Sequence, residues 1–159
     1  MSVSILRALR YTGFGQFFAT GDGCWDMTNF LEPAGEAATT AEGVLVLSAT
    51  PELGRVPGSS NFAERYAARF GPIGNYAVYS YNSARVLIAA IKAAADEAKR
   101  YPSRRDVTAA MRKLRFKGIA HGDPVEWDEK GDNLAAVTAL NVVESGYFRQ
   151  VAEIPRTPG

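Results

Sequence analysis

The 159 residues are 47% hydrophobic and 22% charged, an ordinary balance for a globular chain with one core of its own. Eighteen Lys and Arg against seventeen Asp and Glu leave a net charge of +1, without the basic excess of nucleic-acid binders, so no nucleic-acid partner is expected. A single cysteine, Cys24, and a single histidine, His121, exclude an intrachain disulfide, a thiolate metal cluster and multi-histidine zinc sites, and no cofactor or metal is implied.

Met1-Ser2-Val3-Ser4 has neither the basic region nor the apolar core of a signal peptide, so no export address is expected in this chain. Ser4 is placed to cap a short helix through Ile5, Leu6, Ala8 and Leu9 that stops near Gly13. Phe14 to Ala19 reads as a strand delivering Gly21-Asp22-Gly23, and Asp26 reads as the N-cap of a short or kinked helix from Met27. Gly43 to Ser48 is a continuous apolar run, the pattern of a buried parallel strand. Thr50 to Ser60, with two prolines and two glycines, is a loop or crossover.

Asn61 to Phe70 carries Phe62, Tyr66 and Phe70 on one helical face, and Gly71-Pro72 ends it. Tyr76 to Ala98 is the longest helical pattern, with Ala84, Leu87, Ile88, Ile91 and Ala95 as its core stripe. Ser103 and Asp106 open the next helix as a capping-box-like pair. Val125-Glu126-Trp127 alternates into the polar turn Asp128–Asn133. The strand-like runs Ala135–Val143 and Tyr147–Ile154 are joined by Glu144-Ser145-Gly146. Alternating helix and buried strand argues for an α/β layering, yet two parallel strands are too few to cover the helices from Asn61 onward.

Most candidate sites reduce to structure. Asp128-x-Lys130-Gly131-Asp132 has a lysine where a calcium loop needs oxygen, so it is a turn. His121, in Gly118–Asp123, reads as a loop histidine, and Cys24 as a small structural thiol with little to activate it. Tyr76, Tyr79 and Tyr81 open the long helix as packing residues, one of which could offer a ring face to a ligand. Gly21-Asp22-Gly23 reads first as a turn. Its other reading is an uncrowded carboxylate beyond a strand's carboxyl end, where α/β proteins bind ligands, suited to an ammonium group.

Ile5-Leu6-Arg7-Ala8-Leu9-Arg10, Gly21-Asp22-Gly23, Ala34-Gly35-Glu36-Ala37-Ala38, Glu42-Gly43-Val44-Leu45-Val46 and Trp127-Asp128-Glu129-Lys130-Gly131-Asp132 occur in that order. Together, over about Ser4 to Val151, they resemble the C-terminal half of the type I periplasmic binding proteins of branched-chain amino acid ABC transporters. The resemblance implies a partial type I fold: incomplete two-lobe Rossmann-like layers with C-terminal β-hairpins. It implies the end of the second lobe in residues 1–50 and a return completing the first lobe in 51–122. A final crossing with the C-terminal strands would occupy 123–154, and a disordered tail 155–159. The family's N-terminal half would supply the missing strands.

By the same resemblance, Asp22 matches the acidic residue that takes the ligand's α-ammonium, where close relatives often carry Glu. Gly21 lies beside it, and Tyr76 matches an aromatic lining the side-chain pocket. Cys24 and Trp25 flank the site without an assigned role. The expected function is non-catalytic capture of an amino acid or related solute for an ABC permease, in a family that is periplasmic. The alternatives are a ligand-sensing module of the same fold, a truncated product without independent activity, and, least favoured, an enzyme using Cys24 or His121. Uncovered apolar faces imply a homo-oligomer.

Overall fold

The computed structural model describes residues 2–34, 38–56, 58–120 and 124–156. It divides into two compact units: residues 1–51 with 137–159, and residues 52–136.

Unit one is a mixed four-stranded sheet with helices on one face. Its elements are α1 (Ser2–Tyr11), β1 (Ala19–Thr20), a 3-10 turn (Asp22–Cys24), a π-helical turn (Met27–Leu31), α2 (Ala38–Ala41), β2 (Leu45–Ser48), β3 (Val137–Glu144) and β4 (Tyr147–Pro155). The strand order is β1-β2-β3-β4. β1 runs parallel to β2, while β3 pairs antiparallel with both β2 and β4. Leu6, Trp25, Phe30, Val44, Val46 and Val143 form the core. Ser145 and Gly146 both take positive φ (54° and 79°), the geometry of a tight hairpin turn between β3 and β4.

The strand expected from Phe14 is shorter, and the cause is Arg10. Its guanidinium donates to the carbonyls of Phe14 (2.9 Å) and Gln16 (3.3 Å), and also to Thr40 O (3.3 Å). The guanidinium holds this stretch as a loop around itself, and pairing begins only where Leu45 N donates to Phe18 O. β2 also departs from the expected two-sided burial. Val46 and Ser48 are buried, but Leu47 and, across the sheet, Ile154 are exposed, because unit one's core lies against one face only. Beneath that covered face, Asn141 Nδ2 donates to Val46 O and Ser48 Oγ, each at 3.1 Å, and Ser48 Oγ donates to Thr50 O at 2.7 Å. The Ser48 hydroxyl and the Asn141 amide nitrogen are thereby satisfied where β2 leaves the sheet.

Unit two is helical. It holds a 3-10 turn (Leu53–Arg55), α3 (Ser59–Phe70), α4 (Ala77–Ala98) and α5 (Arg104–Lys113). Ser103 and Asp106 close the expected capping box at the start of α5. Val56, Val78 and Ala120 are its buried cluster, joined by Phe62, Ile73, Tyr79 and Ile119. The polar turn after Trp127 closes through Asp128 N to Asp132 O and Asp132 N to Asp128 Oδ1.

The core stripe expected on α4 is inverted. The residues it buries are Val78, Asn82, Val86, Ala90 and Ala94, while Leu87, Ile88 and Ile91 stand 45%, 65% and 42% exposed. Ala84 is exposed with them. α4 is apolar on two faces. The smaller residues are the buried ones, and small side chains let α5, with its own buried Ala110, approach closely.

Residues 157–159 of the expected tail lie outside the described residues, and Pro155 ends β4 opposite Val137.

Candidate functional site

Gly21 and Asp22 follow directly on the carboxyl end of β1, the end at which open α/β sheets receive ligands. The local fold follows from the residues around them. Trp25 is buried in the core and Cys24 beside it, which pins the turn from behind. Cys24 N donates to Gly21 O at 3.0 Å and Trp25 N to Asp22 O at 2.9 Å, closing the 3-10 turn. Thr20 Oγ1 donates to Cys24 Sγ at 3.2 Å, which adds a side-chain tie across the loop. Gly21, Asp22 and Gly23 are all exposed, on a turn whose anchors are internal. The arrangement presents a negative charge on a rigid support, which is what recognition of an ammonium group requires.

Asp26 acts as the N-cap expected of it. Its Oδ1 accepts from Asn29 N at 2.8 Å and its Oδ2 from Asn29 Nδ2 at 2.9 Å. The Asn29 side chain first, and its backbone N–H second, hold the Asp26 carboxyl below the usual carboxylate range. This cap fixes the π-helical turn that carries Phe30 and Leu31 into the core below the Asp22 loop.

Tyr76 belongs to unit two, where it is the N-cap residue of α4, 39% exposed, with its carbonyl accepting from Ser80 N at 2.9 Å. Gly21 and Asp22 are thus neighbours on one loop, and Tyr76 is described within its own unit. Cys24 is a buried free thiol. His121 lies outside the described residues. Among the described residues no three His, Cys, Asp or Glu side chains gather to hold a metal ion, and no helix is long and apolar enough to cross a membrane.

One feature of unit two goes beyond what residue patterning assigns. The Phe62, Tyr66 and Phe70 face of α3 meets Tyr81 of α4 around an open groove of about 770 Å³. The i, i+4, i+8 spacing of those aromatics was legible as a helix face. Nothing in the spacing marked it as the wall of a cavity.

The family model for periplasmic binding proteins matches residues 1–146. No curated protein matches the chain by sequence. Among solved structures, a leucine-binding protein from Thermotoga maritima is 25% identical, with a TM-score of 0.77 over 96% of this chain and 41% of its own. A branched-chain amino acid ABC transporter protein from Thermus thermophilus, solved with bound valine, is 16% identical, with a TM-score of 0.65 over 96% of this chain and 42% of its own. A solute-binding protein from R. palustris, solved with benzoate, is also 16% identical, with a TM-score of 0.65 over 95% of this chain and 39% of its own. The latter two likenesses speak to fold alone. The chain spans about two-fifths of the length of these solved relatives. Its α/β architecture is a partial type I periplasmic-binding-protein fold, and the chain belongs to the periplasmic binding protein family.

Proposed function

We propose that this chain is a segment of a solute-binding component of an ABC importer, capturing a branched-chain or related amino acid without chemical turnover. The whole protein would work in the periplasm and deliver its solute to an ABC permease. Asp22 is the ammonium-binding residue, with Gly21 keeping the approach to its carboxylate open, and Tyr76 is a separate candidate for packing against the ligand side chain. The observation that carries this reading is the exposed Asp22 beyond β1, in a chain whose residues 1–146 match the family.

The energetics set what the segment can do. A charge-assisted hydrogen bond contributes about 1.5–3 kcal/mol, against the roughly 8 kcal/mol that micromolar binding requires. The 159-residue chain is therefore expected to hold leucine weakly, at about 10 mM or above, or not at all. The test is a titration followed by NMR on the Gly21–Gly23 amides, using leucine and N-acetyl-leucine, which lacks the ammonium. Leucine should perturb these amides, N-acetyl-leucine should not, and Asp22→Asn should weaken leucine at least tenfold. Equal response to both compounds, or an Asp22→Asn variant that binds like the parent, refutes the assignment. Tyr76→Ala is scored separately by its effect on leucine relative to alanine.

A further inference from the structure

The groove of unit two has a chemistry of its own. Four rings make a continuous run along it: Phe70 to Tyr66 at 5.2 Å between centroids, Tyr66 to Phe62 at 5.8 Å and Phe62 to Tyr81 at 4.9 Å, all tilted. Phe70 is 65% exposed and Tyr81 41% exposed, so the rings present faces rather than bury them. The two charged residues lining the groove are both arginines, Arg65 and Arg69, and no carboxylate lines it among the described residues. The Arg69 guanidinium lies 5.3 Å from the Phe70 ring centroid. Neither Arg65 nor Arg69 has an ion-pair partner among the described residues. Its volume of about 770 Å³ lies within the range of small-molecule sites.

We propose that this groove is a binding site for a small aromatic carboxylate. Flat apolar rings complement the aromatic run by offset or edge-to-face stacking. A planar carboxylate complements the guanidinium fork, which binds it in a bidentate manner that an ammonium point charge does not. Two cations without carboxylate partners favour an anion and disfavour the ammonium end of any ligand. The site uses none of the residues assigned to amino-acid capture, so it stands or falls independently of that reading.

The experiment is calorimetry on the full 159-residue chain with 2-naphthoate, compared with 2-naphthalenemethanol, which keeps the rings and loses the charge. The acid should bind at least tenfold more tightly than the alcohol and weaken as salt is raised. Arg65→Gln with Arg69→Gln should weaken the acid at least tenfold, about 1.4 kcal/mol, and leave the alcohol within twofold. Phe70→Ala should weaken both compounds. All three side chains are exposed, so the variants are expected to fold, and circular dichroism checks that they do. Equal affinity for acid and alcohol, an acid affinity unchanged by the double arginine substitution, or no binding of the acid at millimolar concentration overturns the proposal.

Discussion

Replacing Gly118 with alanine tests how unit two is locked together. The added Cβ would stand 1.6 Å from Asn82 Oδ1, 2.5 Å from its Cγ and 2.8 Å from its Nδ2, where real Cβ contacts do not fall below 3.0 Å. A flexible side chain on the surface could swing away, but Asn82 is only 4% exposed and its Oδ1 accepts from Ile119 N at 3.1 Å. Displacing it breaks that hydrogen bond and strands its polar partners, at about 1–3 kcal/mol. Forcing a methyl into filled space adds about 1–3 kcal/mol. The total, about 2–6 kcal/mol, is a large share of a domain stability of about 5–15 kcal/mol. Denaturant unfolding measures the loss, and hydrogen exchange of the α4 amides localises it. In an Asn82→Ala background the clashing atoms are gone, and Gly118→Ala should then cost less than about 0.5 kcal/mol, because the two sites are coupled. An equal cost in both backgrounds, or no cost in either, would refute the reasoning.

Two further expectations concern exposed features. Leu87, Ile88 and Ile91 of α4 form an apolar stripe, and burying each such side chain is worth about 1.5–3 kcal/mol, so the chain should self-associate through it. Light scattering should show an assembly that Leu87→Glu with Ile91→Glu returns to monomer, and a parent chain already monomeric at about 100 μM sinks the idea. At the start of α5, the Ser103 backbone N–H first, then the Ser103 hydroxyl and the Arg100 guanidinium, hold the Asp106 carboxyl below its usual range. A depressed folded value means that the stabilisation is complete above the unfolded value of about 4 and is lost as pH falls through the lower folded one. The protection factors of the α5 amides, which are exchange rates corrected for the intrinsic effect of pH, should therefore fall on acidification below about pH 4, and Asp106→Asn should remove that dependence. Protection that falls equally in both chains is the contrary result.

Signals decided within a few residues survived folding, while the choice of which apolar face is buried did not follow from the sequence. Asp26 and the Ser103–Asp106 pair were legible because a cap is decided within three residues, by side-chain oxygens meeting N–H groups that have no helical partner. The bulky stripe on α4 is not the buried one, because bulk does not mark burial in a helix that is apolar on two sides. Its packing partners decide which side is used: Val56, Ile119 and Ala120 cover the first turns at Val78 and Asn82, and close approach further along favours Ala90 and Ala94 over Leu87 and Ile88. The Phe14–Ala19 run misled for a different reason. Its apolar residues read as strand, but Arg10 holds the Phe14 and Gln16 carbonyls in a loop, a contact no period reveals. For the candidate site, the loop carrying Asp22 was legible as Gly-Asp-Gly after a strand. The buried Cys24–Trp25 anchor that stiffens it was not, since a tryptophan next to a turn has no characteristic spacing.

The sheet of unit one has the topology of a clasp. β2 and β3 are neighbours, with Ser48 opposite Ala139, yet Asn141 donates to a carbonyl 95 positions away in the chain. All of unit two is therefore an insertion between two strands that touch. Such a loop can acquire its helices from local contacts alone, whereas the sheet must wait for ends far apart in sequence to meet, the slow class of contact in folding. The closure penalty grows only logarithmically with the intervening length, so the insertion costs the sheet little stability. A cut anywhere in 52–136 would break the chain without unpairing β2 from β3. Unit one is in that sense two peptides held by a hydrogen-bonded seam, and the seam, rather than the covalent thread, keeps the strand carrying Asn141 beside β2.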